Sequence, residues 1–198
     1  RAACERMRNG VAILESNDRA WSAFQLANRA MFMQRVQLVI QRKWPSTFPD
    51  EKELSGVLKS LDYRTADTEF PEDRYAWRPF QLAFMLLDVA SVTSEESRDR
   101  SVVDLIWFPT GGGKTEAYLG LTAMTIFYRR LRYPKESAGT SVIMRYTLRL
   151  LAAQQFTRAS TLICACEVIR KDCCAKNPRY PVYALGKTPI TIGLWIGG

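Results

Sequence analysis

The residues of this chain best suited to chemistry are the seven at positions 109–115, which read PTGGGKT. Consecutive glycines let the backbone turn tightly and point its N–H groups at phosphate oxygens, with no side chain in the way. Lys114 can reach the β- and γ-phosphates of a nucleotide, and the hydroxyl of Thr115 can bind Mg²⁺. The run therefore predicts a site for a nucleoside triphosphate.

The segments on either side of this run have the order that a phosphate-binding loop needs. Residues 102–107 are apolar except for Asp104 and are expected to form a buried strand, and residues 114–132 have the length and composition of a helix. A helix that begins at the loop adds a favourable dipole for anions. The strict pattern has glycine six residues before the lysine, where this chain has Phe108. The alternative is therefore a glycine-rich turn that binds nothing, but the strand, loop and helix together favour a nucleotide site.

A second group of polar residues lies upstream of the loop, in the sequence WRPFQ at positions 77–81. The amide of Gln81 offers a donor and an acceptor side by side, which can pair with N6 and N7 of adenine. The guanidinium of Arg78 or a neighbouring aromatic ring can stack on the base. The alternative is a polar residue at a helix start that contacts no ligand. With the loop downstream, we expect Arg78 and Gln81 to contact adenine.

A third group follows an expected strand at residues 140–146, where Thr147 and Arg149 stand at the carboxyl end of that strand. Ligands of open α/β sheets bind at this edge. A hydroxyl and a guanidinium there suit the sugar-phosphate backbone of a nucleic acid. The alternative is that Arg149 is only a solvated surface charge. Gly197, after a further expected strand at 189–196, can bring the backbone close to a phosphate or simply form a turn.

The charge balance also favours a nucleic-acid partner, because 28 Lys and Arg residues against 20 Asp and Glu give a net charge of +8. An acidic protein partner would explain the same charge. A membrane span needs about 18 to 20 consecutive apolar residues, and no such run occurs. The first residue is Arg1 and no signal-peptide pattern follows it, so we expect part of a longer cytoplasmic protein.

The five cysteines are expected to be reduced and to bind no metal. Four of them lie within residues 164–174, but their spacing is not that of zinc ligands, and the chain contains no histidine. Small, buried thiols in a cytosolic protein are the simpler interpretation.

Alternating strands and helices predict an α/β fold with a parallel sheet in residues 77–198, after a helical extension and connector in residues 1–76. Ser16 or Asn17 is expected to cap a helix in the extension. The predicted elements, in order, are a helical region to about residue 41, helices at 50–61 and 79–89, a strand at 102–107, a helix at 114–132, a strand at 140–146, a helix at 148–171 and a strand at 189–196.

Three stretches of the chain resemble the motifs of superfamily 2 helicases: RPFQ at 78–81, FPTGGGKT at 108–115 and LRLLAAQ at 148–154. Within that superfamily, residues 77–198 are most similar to the DrmA-type helicase of DISARM anti-phage systems. The resemblance implies a RecA-like parallel sheet with flanking helices, ATP and Mg²⁺ as cofactors, and DNA as substrate. It also implies that the protein works in a bacterial cytoplasm beside a DrmB-type protein partner.

The resemblance also implies a role for individual residues. It assigns Gln81 to adenine and Lys114 and Thr115 to phosphate and Mg²⁺. The phosphate cradle would be formed by Thr110, Gly111, Gly112 and Gly113. In the motif that binds nucleic acid, Arg149 matches the family's arginine and Gln154 its glutamine.

Departures from the family pattern limit what the 198 residues are expected to do. Thr147-Leu148 stands where the family has Pro-Thr, and no Asp-Glu pair follows a predicted strand. ATP hydrolysis needs such carboxylates and an arginine finger from a second lobe. We therefore expect weak nucleotide binding without turnover. Two other classes stay open: another P-loop protein such as a kinase or a switch, and a basic adaptor whose degenerate loop leaves only DNA or protein binding.

Overall fold

The computed structural model describes residues 2–43, 76–107, 109, 111–146, 149–174 and 185–195. Within these ranges the secondary structure is helical. Five α-helices are present there: α1 (Ala2–Ser16), α2 (Asp18–Lys43), α3 (Pro79–Thr93), α4 (Lys114–Arg132) and α5 (Arg149–Cys174). A short 3₁₀ helix, Arg98–Ser101, follows α3. The helix predicted at 50–61 lies outside the described residues.

The N-terminal helical region is divided at Asn17. Its Oδ1 accepts hydrogen bonds from the backbone N–H groups of Arg19 and Ala20, both at 3.1 Å. These bonds satisfy two donors that have no acceptor within the helix, so Asn17, one of the two predicted candidates, caps α2. Helix α1 lies close against α3, since Gly10 faces the carbonyl oxygen of Leu86 with no room for a Cβ.

The core is built around α4, which packs against α2, α3 and α5. Leu119, Met124 and Phe127 of α4 are almost fully buried, and small residues such as Ala23 and Ala27 let α2 approach closely. The helices on both sides of residue 76 therefore bury their apolar faces in one cluster, while the predicted domain boundary at that residue stays a prediction. Among the described helices, none is both long and apolar enough to cross a membrane.

The predicted parallel sheet is wrong, and so is the RecA-like fold that the resemblance implied for these residues. No strand occurs in the described part of the chain, where 102–107, 140–146 and 189–195 have no regular secondary structure. Val103, Leu105 and Trp107 are 93%, 81% and 88% exposed, although they were expected to be buried. A strand requires hydrogen bonds to a neighbour, and a parallel sheet requires cover on both faces. The apolar composition of a segment does not show whether either of these conditions is met.

Two of these segments are instead held by arginines at the C-terminal end of α4. Arg129 donates hydrogen bonds to the carbonyl oxygens of Ala138 and Thr140, both at 2.9 Å. Arg130, which is buried, donates to the carbonyl oxygen of Thr188 at 2.6 Å. The same helix that follows the glycine loop therefore fixes the backbone of both segments through side chains.

Candidate functional site

The glycine loop turns through backbone conformations that favour glycine. Gly111 has a φ of 81° and Gly113 a φ of 92°, both in the left-handed region. The N–H of Gly112 donates to the carbonyl oxygen of Pro109 at 3.2 Å and closes the turn. Gly113 is the N-cap residue of α4, so Lys114 opens the helix at the predicted position.

The start of α4 combines features that suit an anion. The Nζ of Lys114 donates to the carbonyl oxygen of Pro109 at 3.0 Å, so its charge lies against the turn. The first-turn N–H groups of a helix have no acceptor within that helix, and the dipole favours negative charge there. Thr115 is half-buried in this first turn. Phe108 and Thr110 lie outside the described residues.

The two upstream residues predicted to contact adenine lie directly on the loop. Nε2 of Gln81 donates to the carbonyl oxygen of Gly113 at 2.7 Å, and Nη1 of Arg78 donates to that of Gly112 at 2.7 Å. Oε1 of Gln81 accepts from the backbone N–H of Arg78 at 2.8 Å. The structure thus brings both motifs together, with the amide of Gln81 bonded to protein on both sides. The contact with adenine stays a prediction.

Trp77, the first of two aromatic residues in the upstream motif, is packed between α2 and α4. Its Nε1 donates to Oδ1 of Asn28 at 2.5 Å. An alanine Cβ at Gly120 would stand 2.7 Å from Cη2 of Trp77 and 2.9 Å from Sδ of Met85, so the ring needs the glycine beside it. Arg78 of the same motif is exposed beside the loop, and its stacking on a base stays a prediction.

An ion-pair cluster at the loop was missed by the sequence analysis. Glu116, in the first turn of α4, pairs with Arg158 of α5, and its Oε1 lies 3.7 Å from Nη1 of Arg35 of α2. The other carboxylate oxygen of Glu116 would lie 3.5 Å from an alanine Cβ at Gly113. The acidic residue directly after Lys114 and Thr115 was the available signal, but its partners were not identifiable from sequence.

The residues predicted to bind nucleic acid are only partly described. Thr147 and Gly197 lie outside the described residues, as does the side chain of Arg149 at the first position of α5. Gln154 in the next turn is exposed. The nucleic-acid role of these residues stays a prediction.

Tyr146 is the last described residue before this segment, and it lies near Arg158. Burial raises the pKa of the Tyr146 hydroxyl, and the charge of Arg158 offsets part of that rise. Tyr146 therefore lies within electrostatic reach of Arg158.

The clustered cysteines of α5 differ in exposure. Cys166 and Cys173 are buried while Cys164 is exposed, and burial raises the pKa of the Cys166 thiol. No group of three or more potential metal ligands is present within the described residues.

Comparison with known proteins supports the DISARM part of the resemblance. No family model matches the chain. The chain is homologous to the DISARM protein DrmA of Bacillus paralicheniformis, with 37% identity over 203 residues that cover 99% of this chain and 16% of that protein. It therefore spans about a sixth of the length of this curated relative.

Proposed function

We propose that this chain is the nucleotide-binding part of an ATP-dependent DNA helicase or translocase that serves DISARM anti-phage defence. The observation that carries the proposal is the loop itself, with left-handed glycines at 111 and 113 and Lys114 at the start of α4. The contacts of Arg78 and Gln81 with the loop carbonyls add support. The similarity to a DISARM protein supports the biological setting.

Several features of the loop support the triphosphate of ATP as its ligand. An alanine Cβ at Gly111 would meet nothing within 4 Å, so the space beside that residue is open. Lys114 supplies a positive charge, and the first-turn N–H groups of α4 supply donors for phosphate oxygens. Arg78 and Gln81 hold the carbonyls of the glycines, which keeps these oxygens bonded to donors rather than facing an anion.

Magnesium fits the site only together with a nucleotide. The hydroxyl of Thr115 offers one oxygen ligand, and the described residues contain no carboxylate cluster that would hold a cation alone. Mg²⁺ prefers oxygen ligands and is commonly held by one or two protein groups plus substrate phosphates. When bound, it would neutralise charge on the β- and γ-phosphates. The residues of this chain would bind and orient the nucleotide without hydrolysing it.

Titration with a fluorescent ATP analogue tests the proposal. Replacing Lys114 with alanine removes a charge-assisted contact worth about 1.5–3 kcal/mol, so affinity should fall roughly 10- to 100-fold. Lys135→Ala is the matched control, because Lys135 is an exposed lysine in the turn after α4 and should leave affinity unchanged. Equal affinity for the wild type and Lys114→Ala would overturn the proposal.

A parallel titration with fluorescent single-stranded DNA separates the alternatives. Binding of both ATP and DNA, with DNA affinity falling as salt rises, supports a motor component. Binding of DNA with no measurable ATP affinity would support the basic adaptor. Binding of ATP without DNA would support a P-loop protein of another class.

A further inference from the structure

The carboxylate of Glu116 has an unusual position for a site that should bind several phosphates. Glu116 belongs to the first turn of α4, two residues after Lys114, and its side chain is 17% exposed. Negative charge near a helix N-terminus is favourable in itself. Beside a triphosphate, however, the same carboxylate repels the ligand, and partial burial weakens the screening of that repulsion by water.

Two arginines face this carboxylate from different helices. Arg158 of α5 contacts Oε1 of Glu116, while Nη1 of Arg35 of α2 is farther from the same oxygen, at 3.7 Å. The side chain of Arg35 is also more exposed, at 43% against 29% for Arg158. Because Coulomb attraction is stronger at shorter distance and with less solvent screening, Arg158 is the principal partner of Glu116.

The two oxygens of Glu116 face in different directions. Oε1 meets the arginines, whereas Oε2 would lie 3.5 Å from an alanine Cβ at Gly113 and so borders the loop. The charge of Arg158 therefore offsets a negative charge at the edge of the phosphate site. Deleting Arg158 would leave only the more distant and more exposed Arg35 to offset that charge where phosphates are expected.

We propose that Arg158 is a positioning residue of the nucleotide site, which neutralises Glu116 so that a polyphosphate can bind the adjacent loop. The ligand class follows from this electrostatic role: the benefit of Arg158 grows with the number of phosphates on the nucleotide. This inference rests on the proposed function of the loop.

The test compares the affinities of ATP, ADP and adenosine for the wild type and for variants of the full 198-residue chain. Arg158→Ala should weaken ATP binding about tenfold and ADP binding less, with no change for adenosine. Glu116→Gln should strengthen ATP binding a few-fold, because Arg158 then remains as an unpaired positive charge beside the phosphates. The double variant Glu116→Gln/Arg158→Ala should return ATP affinity to within about twofold of the wild type.

Matched controls separate charge compensation from a structural role. Arg132→Ala removes the same charge from the far end of α4, where Arg132 pairs with Glu95 at 3.9 Å, and should leave ATP affinity unchanged. Arg158→Lys should keep most of the affinity, because it keeps the charge. Circular dichroism shows whether each variant is folded; if Arg158→Ala unfolds, the Glu116→Gln measurement decides alone.

The outcomes also separate this inference from the proposed function. Equal loss of ATP and adenosine binding in Arg158→Ala, or no rescue in the double variant, would show a structural role and overturn the inference. Unchanged ATP affinity in Glu116→Gln would overturn it as well. The proposed function fails on a different result, namely that Lys114→Ala binds ATP as tightly as the wild type.

Discussion

Replacing Gly113 with alanine probes how the loop is built, because the structure predicts two separate costs at this position. Gly113 has a φ of 92°, and an L-residue in the left-handed region costs about 1–2 kcal/mol. The new Cβ would also stand 2.6 Å from Nε2 of Gln81. That amide must move and give up its bond to the Gly113 carbonyl, which is worth about 1 kcal/mol. We expect Gly113→Ala to lower the free energy of unfolding by about 2–3 kcal/mol.

The loop contains its own matched control at Gly111. This residue has a similar φ of 81°, but an added Cβ there would meet nothing within 4 Å. Gly111→Ala should therefore show only the backbone cost of about 1–2 kcal/mol. The difference between the two variants, about 1 kcal/mol, isolates the contact with Gln81. In a Gln81→Ala background the clashing atom is absent, so the difference should disappear.

Denaturant unfolding followed by far-UV circular dichroism measures these free energies, and ATP titration of the same samples reports on the loop. The reasoning is refuted if the two glycine variants are equally stable in the wild-type background. It is also refuted if their difference persists after Gln81 is replaced by alanine, since the cost would then come from a source other than that side chain.

Two further predictions concern buried or partly buried polar groups away from the loop. Gln34 of α2 is 1% exposed, and both of its amide atoms are without a hydrogen-bond partner. Gln34→Met should therefore raise the free energy of unfolding by about 1 kcal/mol. The control Gln25→Met, on the exposed face of the same helix, should not raise it. Asp88 of α3 has a pKa raised from 3.8 to about 6 by burial and by the charge of Asp104, with Arg6 opposing the rise. The folded state therefore binds the Asp88 proton more tightly than the unfolded state does. The protonated carboxyl contributes stability that is fully present below pH 3.8 and is lost as pH rises through about 6. Asp88→Asn should flatten the stability profile in this range; a profile parallel to the wild type between pH 4 and pH 7 would contradict the assignment.

The helices were predictable because their signals are local. Apolar residues along positions 114–132, arginines near the end and Pro134 beyond it indicated a helix whose bounds match α4. Ser16 and Asn17 were both named as candidate caps because such short side chains can accept from N–H groups two or three residues ahead, and Asn17 is the one that does so. Neither prediction required knowledge of another part of the chain.

The strands were not predictable in the same way. Val103, Leu105 and Trp107 have the apolar character of a buried strand, yet all three are largely exposed. Whether such a segment becomes a strand depends on a hydrogen-bonding neighbour and on cover from other elements. These are non-local conditions, and composition within six residues does not encode them.

The candidate site shows the same division between local and non-local information. A tight turn at the glycines was expected from residue type alone, and Gly111 and Gly113 form it with positive φ angles. The bond between Gln81 and the loop joins residues 32 positions apart, and the bond between Glu116 and Arg158 joins residues 42 positions apart. Sequence identified the polar groups, but only the packing of α3, α4 and α5 shows which of them meet.

The N-terminal helices take part in this packing and so in the support of the loop. Asn28 of α2 holds the indole N–H of Trp77, at the start of the motif that bonds the loop carbonyls. Arg35 of the same helix faces Glu116 in the first turn of α4. Because α2 also covers the buried face of α4, the position of the helix that opens at Lys114 depends on residues that the sequence placed in a separate extension. The loop supplies the groups that would bind phosphate, and α2 supplies part of the frame that fixes their geometry.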